Sequence, residues 1–292
     1  MLSTNKNFKK IFKQAKVFKV KNIIITHLNS YEKAKLNSKK LKINIYNNFN
    51  DLKKIFKKKN DFIMSSISGL SGLEPTLKSI RFTKKILIAN KEAIICGWNL
   101  INNELKKYKT NFIPVDSEHF SIFSLLNDNN ISDVEKVYIT ASGGPFLSLP
   151  KKNFSQIRLK DALKHPNWKM GNKITIDSST LMNKVFEVIE AKNIFNLDYN
   201  KVSILSHPKS YVHAIIKYKN GLSKFLVHEP DMKIPIYNSL YLNNKRTYKT
   251  NKLNFDILNN LNLKKIDLKK FPLVKLLDKL PKISSLYETV LI

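Results

Sequence analysis

The chain has 292 residues, 42% hydrophobic and 10% aromatic, enough for a sizeable core in one large or two medium domains. No apolar run approaches the roughly 18 residues of a membrane span, the N-terminus lacks a signal-peptide core, and the single cysteine, Cys96, excludes an internal disulfide or a thiolate zinc cluster and makes a reducing, cytoplasmic setting the default. The net charge of +30 attracts polyanions, yet only three of the 52 basic residues are arginine, so compositional bias plus phosphate ligands accounts for it better than nucleic-acid reading does.

The first part alternates helix and strand. Phe8 to Phe18 carries apolar residues at helical spacing, Ile23 to Ile25 reads as a short buried strand, and a helical piece follows near Tyr31 to Leu36. Ile43 to Tyr46 reads as strand, Leu52 to Phe56 as helix, and Asp61 to Met64 as a strand running into the loop Ser65 to Gly72. Pro75 to Phe82 reads as a helix with proline in its first turn. Ile86 to Ala89 is a strand, Asn90 opens a helix to about Leu105, and Phe112 to Val115 closes the series. This alternation predicts an α/β fold with a doubly wound parallel sheet, whose ligands sit at the carboxyl ends of strands, where Asn90-Lys91-Glu92 and Asp116-Ser117-Glu118 fall.

From Val134 the pattern becomes α+β. Val137 to Thr140 is a strand leading into Ala141-Ser142-Gly143-Gly144-Pro145-Phe146, where two glycines in a row point to close backbone approach or positive φ. A long polar loop runs to Lys173. Ile174 and Ile176 then read as a strand breaking at Asp177-Ser178-Ser179, followed by a helix with Leu181, Val185, Val188 and Ile189 on one side and Ser178 or Ser179 as N-cap. Val202 to Leu205, Val212 to Tyr218 and Ser223 to Val227 read as strands of an antiparallel sheet, with Asn220-Gly221 as a hairpin turn. A Lys/Asn-rich connection after about Tyr241 leads to an amphipathic tail, Phe271 to Ile292.

Asn183 and Glu187, four apart, share a helix face. Asp116 and Glu118, two apart, would point the same way from an extended segment. With Glu187 they supply three oxygen donors for one Mg²⁺ or Mn²⁺ ion, and a helix start beside them suits phosphate. Taken alone, Asp-x-Glu at a strand end is more often a cap or a solvated pair, and the serines are equally ordinary caps.

Six segments in order, P-V-D-S-E-H (114–119), A-S-G-G-P-F (141–146), H-P-N-W-K-M-G (165–171), D-S-S-T-L-M-N-K-V-F-E (177–187), S-H-P-K-S-Y-V-H (206–213) and E-P-D-M-K-I-P-I (229–236), strongly resemble the 1-deoxy-D-xylulose 5-phosphate reductoisomerase family. The resemblance implies NADPH- and metal-dependent conversion of that sugar phosphate to 2-C-methyl-D-erythritol 4-phosphate in non-mevalonate isoprenoid synthesis, with Mg²⁺, Mn²⁺ or Co²⁺. It implies Asp116, Glu118 and Glu187 as metal ligands, catalytic with His165 and Lys91. It implies substrate contacts from Lys91, Ser117, Glu118, Ser142, His165, Trp168, Ser178, Asn183, Lys184 and Glu187, the phosphate being the target of Ser142, Ser178, Asn183 and Lys184. Cofactor contacts would come from Lys6, Asn7, Asn90, Glu92 and Gly171, and Ser210, His213 and Met232 would lie near the pocket, His213 in a structural role. A loop around His165 and Trp168 would close over the substrate.

By the same resemblance, residues 1–115 form a partial Rossmann-like NADPH domain, 116–241 a catalytic and dimerisation domain, and 242–292 a linker and the start of a helical domain. The family's first strand and Gly-rich turn have no counterpart, since the first glycine is Gly69, so the chain reads as a fragment clipped at both ends. The expected partners are a small sugar phosphate and a second copy in a homodimer, with no nucleic acid and no membrane. Two other readings compete: a non-catalytic truncated remnant that still binds metal and sugar phosphate, and, on charge alone, a nucleic-acid-binding protein.

Overall fold

The computed structural model describes residues 1–38, 42–126, 130–168, 170–242, 247–281 and 286–292. Parts of the expected Lys/Asn-rich connection (243–246) and tail (282–285), and residue 169 of the long loop, lie outside these.

The N-terminal half is β1 (Leu2–Thr4), α1 (Phe8–Val17), β2 (Asn22–Ile25), α2 (Leu28–Ser38), β3 (Asn44–Tyr46), α3 (Leu52–Ile55), β4 (Asn60–Ser65), α4 (Leu73–Ile80), β5 (Thr83–Ile88), α5 (Lys91–Tyr108) and β6 (Asn111–Pro114). Every strand pair here is parallel, in the registers Leu2↔Ile23, Ile23↔Ile45, Ile63↔Ile86 and Ile88↔Pro114. The strands form two three-stranded sheets, β1-β2-β3 and β4-β5-β6, where the alternation suggested one sheet. Each central strand is covered on both faces, so Ile23, Ile24, Ile25, Ile86, Leu87 and Ile88 are buried without alternation. Each such side chain contributes about 1.5–3 kcal/mol by burial. The strand β1 was outside the expected set; three residues carry no readable period.

The second half is α6 (Ser117–Leu125), β7 (Val134–Ala141), α7 (Leu159–Ala162), α8 (Asn172–Ser179), α9 (Met182–Phe195), β8 (Val202–Ser206), β9 (Val212–Tyr218), β10 (Ser223–Val227), α10 (Lys233–Leu240), α11 (Phe255–Asn259), β11 (Lys264–Lys265) and α12 (Leu286–Val290). Its sheet has the order β10-β9-β7-β8-β11. It is mixed, not wholly antiparallel as expected: β7 pairs parallel with β8 and antiparallel with β9. The connection between β7 and β8 contains α7, α8 and α9, long enough for the crossover that parallel pairing requires. Val137, Ile139, Ala214 and Ile216 of this sheet share a core with Leu181 and Val188 of the α9 region. Gly221 holds the hairpin turn at φ 87°, as expected.

Residues 174–176 are helical, not strand. Within α8 the hydroxyls of Thr175 and Ser178 donate to the carbonyls of Gly171 and Ile174, 2.8 Å each, and Thr175 and Ser179, four apart, are its buried residues. The buried period is therefore that of a helix, and the alternation of Ile174 and Ile176 is incidental. Ser178 and Ser179 end this helix instead of capping the next; the turn is made at Leu181, whose φ is 61°. Among the described residues no helix is long and apolar enough to cross a membrane.

Candidate active site

Three elements bring the acidic residues together. Asp116 caps α6 by accepting from the Glu118 amide (3.2 Å), so Asp116 and Glu118 occupy a helix start and not an extended segment. Helix α9 is buried from Asn183 to Lys192, which forces its polar side chains to find partners inside the protein. It presents Asn183, Glu187 and Glu190 at helical spacing toward α6, and α5 begins beside them with Lys91.

One oxygen from each of Asp116, Glu118 and Glu187 lies within 4.8 Å of the others. At metal–oxygen distances of roughly 2.0–2.6 Å, two ligands of one ion are at most about 4–5 Å apart, so these three hard donors fit a single Mg²⁺-like ion. Lys91 Nζ lies 2.8 Å from Asn183 Oδ1, 3.3 Å from Glu187 Oε1 and 3.5 Å from Asp116 Oδ2. Lys184 Nζ is 2.5 Å from both Glu118 Oε1 and Glu187 Oε2. Ser117 donates to Glu118 (2.6 Å) and Asn183 Nδ2 donates to Glu187.

This packing sets the protonation pattern. Burial, with the negative charge of Glu187, pushes Glu118 up to about 7 against the pull of Lys184. Burial works against the charged form of Asp116 too, but Lys91 and His119 outweigh it and hold that carboxyl well below the usual range. Lys91 and Lys184 resist the same burial because carboxylates surround them, and both are held above the ordinary lysine value.

Opposite the carboxylates stand the loops. His165 Nδ1 accepts from the backbone amides of Asn167 (3.2 Å) and Trp168 (3.0 Å). A neutral ring then carries its proton on Nε2, 3.1 Å from Ser142 Oγ. Burial and then Lys184 lower the His165 pKa and favour that neutral form. Asn167 ties the loop down by donating to Pro208 O (2.7 Å) and Ser210 Oγ (2.8 Å). Trp168 meets His213 edge-on at 6.3 Å, and His213 stacks on His228 at 3.6 Å. Gly144 meets both expectations for its pair: its φ is 65°, and a Cβ there would come 2.7 Å from Ser178 O.

The three carboxylates, both lysines, Ser142, His165 and Trp168 line one cavity of about 280 Å³. Its lining includes Asp116 and every residue expected to bind substrate, and also Met170, Ser210, His213 and Met232. The space suits a small ligand. Lys6, Asn7, Asn90, Glu92 and Gly171, expected at the cofactor, are not part of that lining. Asn7 caps α1 and Gly171 precedes α8. Glu92 is 3.8 Å from Lys173. Asn90 is buried: it accepts from the Ala93 amide and donates to the carbonyls of Ile67 and Gly69, holding the loop after β4.

Two residues of this site, His119 and Glu190, escaped the sequence reading. His119 is buried, with Nδ1 3.0 Å from Asp116 Oδ1 and 3.3 Å from Glu190 Oε2, and Nε2 2.8 Å from the Glu187 carbonyl. Burial opposes its charge, but Glu190 and Asp116 prevail and hold it up to about 9. The spacings Asp116/His119 and Glu187/Glu190, three apart on one helix face each, were the available signal.

Comparison with known proteins shows the relatives of this chain. Family models match residues 1–97 (1-deoxy-D-xylulose 5-phosphate reductoisomerase), 112–195 (its C-terminal domain) and 227–292 (DXP reductoisomerase C-terminal domain). The reductoisomerase of Pelagibacter ubique is 58% identical over 294 residues, covering 100% of this chain and 76% of the relative. That of Sulfurihydrogenibium sp. is 42% identical over 231 residues, covering 79% of this chain and 60% of its own length. Among solved structures, the Zymomonas mobilis enzyme in complex with NADPH superposes with a TM-score of 0.85 at 30% identity, over 96% of this chain and 73% of that one. A DOX-P reductoisomerase in complex with NADPH, fosmidomycin and magnesium gives 0.86 at 30%, over 95% and 71%. Fold and site thus put the chain among α/β enzymes that work on a small ligand in a carboxylate-lined pocket. Within that class, the chain belongs to the 1-deoxy-D-xylulose 5-phosphate reductoisomerase family.

Proposed function

We propose that this chain isomerises and reduces 1-deoxy-D-xylulose 5-phosphate to 2-C-methyl-D-erythritol 4-phosphate, using NADPH and Mg²⁺ or Mn²⁺, in non-mevalonate isoprenoid synthesis. The observation that carries the reading is the convergence of Asp116, Glu118 and Glu187 in the cavity that also holds Ser142, Ser178, Asn183 and Lys184. When bound, the metal supplies Lewis acidity to the hydroxy-ketone oxygens and NADPH supplies the hydride.

The chain's own residues then have distinct tasks. Asp116, Glu118 and Glu187 would hold the ion. Ser142, Ser178, Asn183 and Lys184 offer hydroxyl, amide and ammonium donors to the phosphate dianion. Lys91, kept charged, places a fixed positive charge where oxyanion character develops. His165 holds its proton on Nε2, beside Ser142 and toward the substrate. Trp168 and Met170, which line the cavity, would shield the substrate from water. Lys6, Asn7, Asn90, Glu92 and Gly171 are our assignments for NADPH; Lys6, Asn7 and Asn90 follow the carboxyl ends of β1 and β5, the edge where parallel sheets bind nucleotides. We assign residues 1–115 to the cofactor domain, 116–241 to the catalytic and dimer-forming domain, and 242–292 to a linker and helical segment, in a cytoplasmic homodimer.

The test is purified protein with deoxyxylulose phosphate, Mg²⁺ and NADPH, followed by nicotinamide absorbance. Substrate-dependent loss of NADPH with formation of the methylerythritol product is expected. Binding of metal and sugar phosphate without turnover would overturn the catalytic reading and leave a binding remnant.

A further inference from the structure

The ammonium of Lys184 and the divalent ion require the same oxygens. Lys184 Nζ is 2.5 Å from Glu118 Oε1 and 2.5 Å from Glu187 Oε2, and both carboxylates belong to the three-residue cluster assigned to the ion. An ion about 2.0–2.6 Å from those carboxylates would compete for the place the ammonium holds. Lys91 differs: its contacts to Glu187 and Asp116 are longer, 3.3 and 3.5 Å, and the neutral Asn183 oxygen at 2.8 Å would remain its partner.

Displaced from its carboxylates, the Lys184 ammonium would be a nearly buried charge without a counter-ion, since its side chain is 10% exposed. Such a charge costs several kcal/mol unless an anion meets it. The same cavity holds Ser142 and Ser178, and the charge of Lys184 is felt at His165, whose ring touches Ser142. We propose that Lys184 is a two-position residue: the ion displaces it from Glu118 and Glu187 toward the phosphate end of the cavity, so that ion and phosphate monoester bind cooperatively. The inference rests on the metal and phosphate assignments made above.

The experiment measures Mn²⁺ affinity by the electron paramagnetic resonance of free Mn²⁺, with and without methyl phosphate, which has no hydroxy-ketone to chelate the ion. No turnover is involved. In the unaltered protein methyl phosphate tightens Mn²⁺ binding, roughly 5- to 150-fold for a typical coupling. In Lys184→Met and Lys184→Gln, Mn²⁺ binds more tightly than in the unaltered protein when no phosphate is present, and methyl phosphate no longer changes its affinity. Circular dichroism identifies which variant is folded, and the folded one is used. Equal or weaker Mn²⁺ binding in that variant, or undiminished coupling, overturns the proposal. Failure of the unaltered protein to bind Mn²⁺ at all would instead remove the metal assignment, and this proposal with it.

Discussion

Replacing Glu187 by glutamine keeps the shape but removes one charge and turns one of two acceptor oxygens, which receive Lys91, Asn183 and Lys184, into an NH2 donor. The carboxylate is 2% exposed and faces Lys184 at 2.5 Å and Lys91 at 3.3 Å. At an effective dielectric constant of about 20 those contacts are worth roughly 5–7 kcal/mol each before desolvation. Much of that is offset by the cost of burying the carboxylate, and Lys184 keeps Glu118 while Lys91 keeps Asp116. The net loss should fall at the low end of the range for orphaning a buried charge, about 3 kcal/mol. At about 2–4 °C per kcal/mol this lowers Tm by roughly 6–12 °C. Metal binding should suffer far more, because one of three anionic ligands is gone; affinity for Mn²⁺ should fall on the order of a hundredfold or more, beyond the 10–100-fold typical of supporting residues. Calorimetry gives Tm, and Mn²⁺ titration of the folded variant gives the affinity. A folded Glu187→Gln protein binding Mn²⁺ within threefold of the original would refute the shared-ion reasoning.

Three further outcomes follow from the geometry. Gly144→Ala puts a Cβ 2.7 Å from Ser178 O at a φ of 65°, which should cost about 1–3 kcal/mol of stability and raise KM for the sugar phosphate by shifting Ser142 against Ser178, read by urea unfolding and steady-state kinetics. Asn167→Ala removes both tethers of the His165 loop, about 2 kcal/mol of hydrogen bonding, so kcat/KM should fall by up to roughly thirtyfold while Mn²⁺ affinity stays unchanged; a change in metal affinity would contradict the tether role. His228 is pushed below the ordinary histidine range by burial, so the folded protein resists its protonation while the unfolded chain does not. Its contribution is therefore present above the unfolded pKa of about 6.5 and is lost as pH falls below it, each tenfold difference in proton affinity between the two states being worth about 1.4 kcal/mol. His228→Asn should lose less stability than the original protein between pH 7.5 and 5.5 in denaturant melts, and parallel losses would show the ring titrates freely.

Much of this protein is legible locally. The runs Ile23–Ile25 and Ile86–Ile88 announce central parallel strands because a strand covered on both faces needs no polar alternation. Helices such as α1 show their apolar spacing, and six ordered motifs carry the resemblance to the family and contain most of the residues that line the cavity. What local pattern could not decide was decided by contacts between distant segments. Ile174 and Ile176 alternate like a strand, yet α8 buries Thr175 and Ser179. Asp116 and Glu118 converge from a helix start, not from an extended edge. The pairing of Lys184 with Glu118 spans 66 residues and that of Lys91 with Glu187 spans 96, and His119 joins α6 to α9. Residue types and spacing determine which elements form and which chemistry is available. Only tertiary packing, by burying α9 and forcing each of its polar groups to find a partner from elsewhere in the chain, decides which carboxylate meets which ammonium.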